Sequence, residues 1–363
     1  MKICIGFRPI SGPYGGGNNF VKSLSSRLQR DGFKVVHSLK DKDIDIILLI
    51  NPLVTSEFAT FNNFDIDYYQ TFINKKAISI QRFNDCDERK DTNFINKKLI
   101  KKNKNVDFNI FVSSWIKNLF DKALSSTPNF VIRGGPDSKI FNSKNHIKWT
   151  GNLPLKIVTH HWSSHENKGF DIYSKIDDLL DSDYWKSRIE FTLIGNYPEN
   201  IVFKNTKLLP PLESHKLSKE LQKNHIYITA SKNEPSGNHH MEGILCGLPI
   251  LYIDSGGVTE YCKDFGIEYN EKNLDIKLNE ILDNYPKYYK EIKNYPYDFN
   301  YMYSLYLKLF DELYKSRDKL FNKRNKDLKA KVFVNYFINK CYKKFREIVI
   351  YFKVKLGKLK KKL

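Results

Sequence analysis

The sequence predicts an α/β protein: two doubly wound, Rossmann-like halves followed by a basic helical extension. Three observations predict it. Short β-rich runs alternate with helical patterns, which implies mostly parallel sheets. The alternation breaks once, at the polar stretch NSKNHIKWTGNLPL (142–155), and then restarts. The last 44 residues change composition: from Leu320 to Leu363 there are fifteen Lys/Arg against two Asp/Glu, a net of +13 of the chain's +19, leaving +6 for the body.

The first half opens with the apolar run KICIGF, then the Gly-rich SGPYGGGNN, then a helix marked by Phe20, Val21, Leu24 and Leu28, with Gly32 as its stop. Further strands are expected at DIDIILLI (43–50), KAISI (76–80) and FNIFVS (108–113). In the second half, LKIVTHH, IEFTLIG, IYITAS and PILYID read as strands, with helices GFDIYSKIDDLL and HKLSKELQKN between them. A Tyr-rich helical stretch follows at about 286–318. The tail has a helical rhythm of its own through Ile338, Cys341, Tyr342, Phe345, Ile348, Val349, Phe352, Leu356 and Leu359. The expected units are 1–148, 149–285, 286–318 and 319–363.

Apolar residues make up 41% and aromatics 14% of the 363 residues, enough for packed cores. Five scattered cysteines without CxxC spacing point to a reducing compartment. No signal-type segment or membrane-length apolar run is present, so a cytoplasmic protein is expected. Asp-x-Asp occurs at 43–45, 65–67, 85–87 and 181–183, a frequency that chance gives an Asp-rich chain. His160, His161, His165, His239 and His240 lack the matched spacing of a zinc site. Gly-x-Ser-x-Gly and Gly-Lys-Ser/Thr loops are absent, which disfavours serine hydrolases and P-loop NTPases.

The segment SKNEPSGNHHMEGILCGLPILYIDSGG (231–257) concentrates candidate chemistry. It reads as a strand end, a tight loop and a helix from about Ser236 to Cys246, stopped by Gly247 and Pro249. The free amides at that helix start, with Gly237 allowing close approach, form an anion site. Ser236, Gly237, Asn238 and His239 are the expected ligands. Glu242 is placed to accept from ribose hydroxyls. Gly15, Gly16 and Gly17 before the first helix form a second phosphate-approaching loop.

Segment 231–257 resembles the donor-binding motif of glycosyltransferase family 4 and its GT-B-fold relatives, S-x-x-E-G-F-G-x4-E-A-x-x-x-G-x-P. Ser231, Glu234, Gly237, Glu242, Gly247 and Pro249 fall on matching positions, while Pro235 replaces the first Gly and Gly243 the Ala. IVTHHWSSHENKGFDIY resembles the family's G-R-L-x-x-x-K-G stretch: Lys168-Gly169 match, and His160 or His161 stands near the place of the Arg. GPYGGGNNF (12–20) and FVIRGGPDSKIF (130–141) match further family segments. SIQRFNDCDERK (79–90) and FVSSWIKNLF (111–120) resemble a bacterial branch. The resemblance spans about 1–315.

It implies a GT-B fold, two Rossmann-like domains facing across a cleft. It also implies a retaining, metal-independent enzyme that moves a sugar from a nucleotide-diphosphate sugar, with no cofactor, to a glycan or lipid-linked acceptor of the cell surface. Glu234 and Lys168 are the expected catalytic pair, with Lys168 and His161 also at the donor. Arg82, Asn84 and Asp85 are the expected acceptor or sugar contacts. Alanine at Glu234 or Lys168 is expected to abolish turnover and leave unfolding nearly unchanged. A GT-B sugar-nucleotide epimerase, or a non-catalytic nucleotide-sugar or RNA-binding protein, are the alternatives. For 320–363 three partners compete: an anionic membrane surface, another chain, or nucleic acid. The membrane is preferred because aromatics and Lys share one amphipathic pattern; attachment to the inner face of the cytoplasmic membrane would then qualify the cytoplasmic placing.

Overall fold

A computed structural model describes residues 1–10, 16–53, 58–323 and 329–360, with side chains of 320–323 and 346–360 left aside. The chain forms two six-stranded sheets, parallel at every pairing. The first contains β1 (Lys2–Ile5), β2 (Lys34–Val36), β3 (Ile46–Leu49), β4 (Ile78–Phe83), β5 (Phe108–Phe111) and β6 (Asn129–Val131), in the order β2-β1-β3-β4-β5-β6. The second contains β7 (Leu155–His161), β8 (Ile189–Gly195), β9 (Lys207–Leu209), β10 (Ile226–Thr229), β11 (Ile250–Ile253) and β12 (Gly266–Tyr269), in the order β12-β11-β10-β7-β8-β9. Helices bury both faces of each sheet, so the central strands are apolar throughout rather than alternating; all four residues of β3 and of β10 are buried. The winding direction reverses between β1 and β3 in one sheet and between β7 and β10 in the other. Crevices beyond the strand ends at such reversals are where open α/β sheets bind ligands.

The lobes are joined by more than the linker. Helix Phe299–Lys323 leaves the second lobe and packs Met302, Tyr306, Leu309 and Phe310 into the first lobe's core beside Phe20, Ile46 and Ile80. Tyr261 on the short helix Val258–Cys262 donates to Val112 O at 2.6 Å and accepts from Gly134 N at 3.0 Å. Its neighbour Glu260 takes the free amides of Ser114 and Trp115 at 2.9 and 2.7 Å, at the amino end of helix Ser114–Leu124, and pairs with Arg133 at 3.1 Å. A carboxylate from one lobe thus occupies the positive end of a helix in the other.

Two boundaries differ from expectation. The first helix starts at Gly16, so Gly16 and Gly17, expected in the loop before it, form its first turn; Gly15 lies outside the described residues. The expected helix from Ser236 runs over Asn238–Leu245 instead. Gly237, with φ +54°, turns the chain just before it, and Pro235 stays in the loop. The tail is helical, as its rhythm predicts: Lys329–Lys360 forms one helix. Among the described residues no helix is long and apolar enough to cross a membrane.

Gly243 shows how packing departs from the family pattern. A Cβ there would lie 2.4 Å from the Tyr227 ring, because Tyr227 fills the space beneath the helix and donates to His160 O. Restoring the family's residue with Gly243→Ala is therefore expected to destabilise the protein by about 1–3 kcal/mol. Chemical denaturation checks this; a variant as stable as the wild type would refute the packing account.

Candidate functional site

The site forms where the two winding reversals face each other. From the second lobe, the loop after β7 carries Lys168, and the loop after β10 carries Glu234 and leads into helix Asn238–Leu245. The two loops are locked together: Lys232 N donates to Asn167 O at 2.7 Å, and a Cβ on Gly169 would meet Ala230 O at 2.2 Å. From the first lobe, helix Gly16–Arg30 brings its amino end against that of Asn238–Leu245. A Cβ on Gly16 would lie 3.1 Å from Asn238 Nδ2. Gly134, after β6, approaches Ser236 in the same way, at 2.9 Å from Oγ. Two helix starts from two sheets thus converge on one place, which concentrates positive potential there.

Glu234 is the charged centre of this place. Its side chain is only 8% exposed. Oε2 accepts from Lys168 Nζ at 2.5 Å, and Oε1 lies 3.4 Å from Arg89 Nε of the first lobe. Burial alone would raise its pKa; the charges of Lys168 and Arg89 outweigh it and hold the carboxyl at about 2. Glu234 is therefore an anion at neutral pH with no proton to give.

The histidines are structural neighbours of this centre rather than charges. His161 is buried, with Nε2 2.7 Å from Tyr173 Oη and 3.2 Å from Thr159 Oγ1. Its placing in the core removes it from the expected donor surface. His239 is likewise buried, bonded to Thr229 Oγ1 at 2.9 Å and Ser231 Oγ at 3.3 Å. Burial pushes the pKa of both well below the ordinary value. His240 is fully enclosed, neither ring nitrogen has a partner, and burial, opposed by Glu234, lowers it to about 3. Glu242, expected to face ribose, is buried and has Oε2 2.8 Å from His160 Nε2. Ser236 Oγ reaches Tyr261 Oη at 3.0 Å. Gly237 makes room among the site's own groups: a Cβ would come within 2.9 Å of Glu234 Cγ, His239 Cε1 and His240 Cε1.

The three first-lobe candidates separate. Arg82 is buried and stacks on Phe20, 4.2 Å from the ring centroid. It lies on the face of β4 that carries Ile78 and Ile80 into the core. Asn84 is partly exposed beyond the end of β4. Asp85 pairs with Lys90 at 2.5 Å and Arg89 at 3.4 Å. Arg89, which reaches Glu234 of the other lobe, is not marked in the sequence: nothing in FNDCDERK says which cation turns toward the other lobe.

Each Asp-x-Asp pair has a structural use. Asp43 bonds Lys2, Asp65 caps helix Asn63–Tyr68 and pairs with the tail's Lys343, Asp85 holds Arg89 and Lys90, and Asp181 accepts from Asn205. Among the described residues no group of three or more His, Cys, Asp or Glu is arranged to hold a metal ion.

The pairing of Lys168 with Glu234 revises the expectation for unfolding. Removing Lys168 leaves a buried carboxylate with only the longer Arg89 contact. Lys168→Ala is expected to cost roughly 3 kcal/mol of stability, and Lys168→Ala/Glu234→Ala to recover much of it. The folded pKa lies below the ordinary 4.5, so Glu234's contribution is fully present above pH 4.5 and is lost as pH falls toward 2. Urea melts from pH 7 to 3 check both points; a Lys168→Ala variant as stable as the double variant would contradict the ion-pair account.

Residues 200–298 match the family "Glycosyl transferases group 1". No curated protein matches the chain in sequence. Solved structures share its architecture. Sucrose-phosphate synthase from Thermosynechococcus elongatus aligns over 87% of this chain and 99% of its own, with 12% identity and a TM-score of 0.61. The catalytic domain of starch synthase IV from Arabidopsis thaliana, bound to ADP and acarbose, aligns over 86% and 99%, with 11% identity and a TM-score of 0.64. HepE of Anabaena, in complex with UDP, aligns over 86% and 100%, with 14% identity and a TM-score of 0.63. At these identities the likeness speaks for the fold, and the matched segment for the chemistry. The two parallel sheets are a GT-B architecture, the matched segment lies in the second lobe, and together they support a glycosyltransferase enzyme and are consistent with the resemblance to glycosyltransferase family 4.

Proposed function

We propose that the protein is a retaining, metal-independent glycosyltransferase. It takes a sugar from a nucleoside-diphosphate sugar and places it on a glycan or lipid-linked acceptor of a cell-surface polysaccharide. The observation that carries this is the convergence of Lys168, Glu234 and the amino ends of helices Gly16–Arg30 and Asn238–Leu245 between the lobes.

Transfer develops positive charge on the sugar and negative charge on the departing diphosphate. Lys168 and the two helix starts meet the growing negative charge. Each such donor is worth a few kcal/mol, about 3, of transition-state stabilisation. The anionic Glu234 suits the sugar side, where it orients hydroxyls and faces the oxocarbenium-like carbon. With its pKa held at about 2, Glu234 is a weak base, so the acceptor hydroxyl gives its proton to the leaving phosphate oxygen as the sugar–phosphate bond breaks and the new glycosidic bond forms on the same face. The site needs no metal in this scheme, since fixed amides and Lys168 supply the positive charge.

The tail supports a cytoplasmic enzyme attached to the inner face of an anionic membrane. Helix Lys329–Lys360 docks on the first lobe through a polar and aromatic side: Asn339 bonds Asn62, Lys343 pairs with Asp65 at 2.7 Å, and Tyr336 stacks on Tyr68. Phe337, Ile338, Tyr342 and Phe345 turn outward, each more than half exposed, while Phe333 meets Phe72 of the first lobe edge-on at 6.5 Å. The exposed Lys331 and Lys344 border that strip. An apolar strip with basic edges, turned away from the protein, fits an interfacial helix.

Two measurements test these readings. Release of UDP or ADP from a nucleotide-sugar panel with cell-envelope acceptor extract should persist in EDTA and fall by about 100-fold or more in Lys168→Ala; abolition by EDTA would overturn the metal-independent scheme. Co-sedimentation with phosphatidylglycerol vesicles should be lost in Phe337→Glu/Phe345→Glu and retained by the wild type at low salt. Equal binding by both would remove the membrane reading.

A further inference from the structure

We infer that Arg89, from the first lobe, is the second cationic ligand of the donor diphosphate. The inference rests on the nucleotide-sugar reading above. Lys168 and Arg89 hold the two oxygens of one carboxylate, Glu234, from opposite sides of the cleft. The arrangement is braced at the backbone as well. Asn167, the residue before Lys168, donates through Nδ2 to the carbonyls of Glu88 and Arg89 at 3.4 and 3.1 Å. The Lys168 loop therefore grips the turn that presents Arg89, and the two cations are held in register with each other.

The surroundings leave few other sources of charge. His161, His239 and His240 are enclosed and uncharged at neutral pH, for the reasons of burial given above. Lys90 is bound to Asp85, and Lys232 to Asp171 at 2.8 Å. At Glu234 itself, Lys168 and Arg89 are the two cations among the described residues. A nucleoside diphosphate leaves with more than one negative charge, which a single half-neutralised lysine matches poorly. Arg89 differs from Lys168 in one useful respect: its side chain is 36% exposed against 15% for Lys168. Part of the side chain therefore faces solvent, and a guanidinium offers several donors, so it can pair with a phosphate oxygen in addition to its carboxylate contacts. Asp85, 3.4 Å from Nη1, keeps the guanidinium oriented before a donor arrives. A diphosphate bound by both residues also ties the first lobe to the second through the substrate.

Isothermal titration of the full chain with UDP and with ADP, and with the corresponding monophosphates, tests the assignment. Arg89→Ala should weaken the diphosphate that the wild type binds by about 10- to 100-fold, and the monophosphate by less than about threefold. Arg89→Lys, which keeps the pairing with Glu234, should recover part of the loss and guards against a folding defect in the alanine variant. Equal weakening of mono- and diphosphate would make Arg89 an interlobe tie only and overturn the inference. So would diphosphate binding within twofold of wild type in Arg89→Ala. A wild-type protein that binds neither diphosphate would overturn the nucleotide-sugar reading itself, and this inference with it.

Discussion

The arrangement depends on a carboxylate that water scarcely reaches. Glu234 has lost most of its hydration, and an ion in that position persists only if cations replace the water. The fold answers with one cation from each lobe, Lys168 and Arg89. That requirement draws the loops after β7 and β10 together and brings the turn after β4 across the cleft. The electrostatic centre of the site is therefore also a joint between the lobes. A second joint, Glu260 on the amino end of helix Ser114–Leu124, uses the same principle with backbone amides in place of side-chain cations.

The histidine cluster beneath this centre has a different character. Rings of His161, His239 and His240 lie 5.0–5.1 Å apart in succession, packed against Tyr173 and Tyr261. Enclosure holds them neutral, so they fill volume without adding charge, and His239 and His161 supply hydrogen-bond partners to Thr229, Ser231 and Tyr173. A neutral bed under a paired ion keeps the field of Lys168 from being screened by water. Gly237 and Gly243 are small because this bed is crowded. One gives way to Glu234 and two imidazoles, the other to Tyr227.

The tail carries apolar side chains on two sides. A surface helix of a globular protein ordinarily turns its apolar side inward. Here Val332, Tyr336, Asn339 and Lys343 meet the protein, and Phe337 and Phe345 face out. The buried Asn62–Asn339 contact and the Asp65–Lys343 pair fix which side docks, since leaving Asp65 unpaired at that depth is costly.

Much of this was legible from the sequence. The alternation of strand and helix, the linker at 142–155 and the spacing from Ser231 to Pro249 pointed to two parallel lobes and to a helix after β10, because hydrophobic periodicity and glycine placement are local signals. Lys168 and Glu234 could be named from their motifs. Their direct pairing could not, because it joins residues 66 apart through loops whose geometry the sequence does not encode locally. The same limit hid Arg89, the stacking of Arg82 on Phe20 and the burial of His161 beside Tyr173: strand position tells which end of the sheet a residue occupies, not which neighbour fills the space beside it. Sequence fixed what each segment is, through propensity and pattern. Tertiary structure alone decided which charges meet, because Coulomb energies and desolvation depend on distances between segments that are remote along the chain.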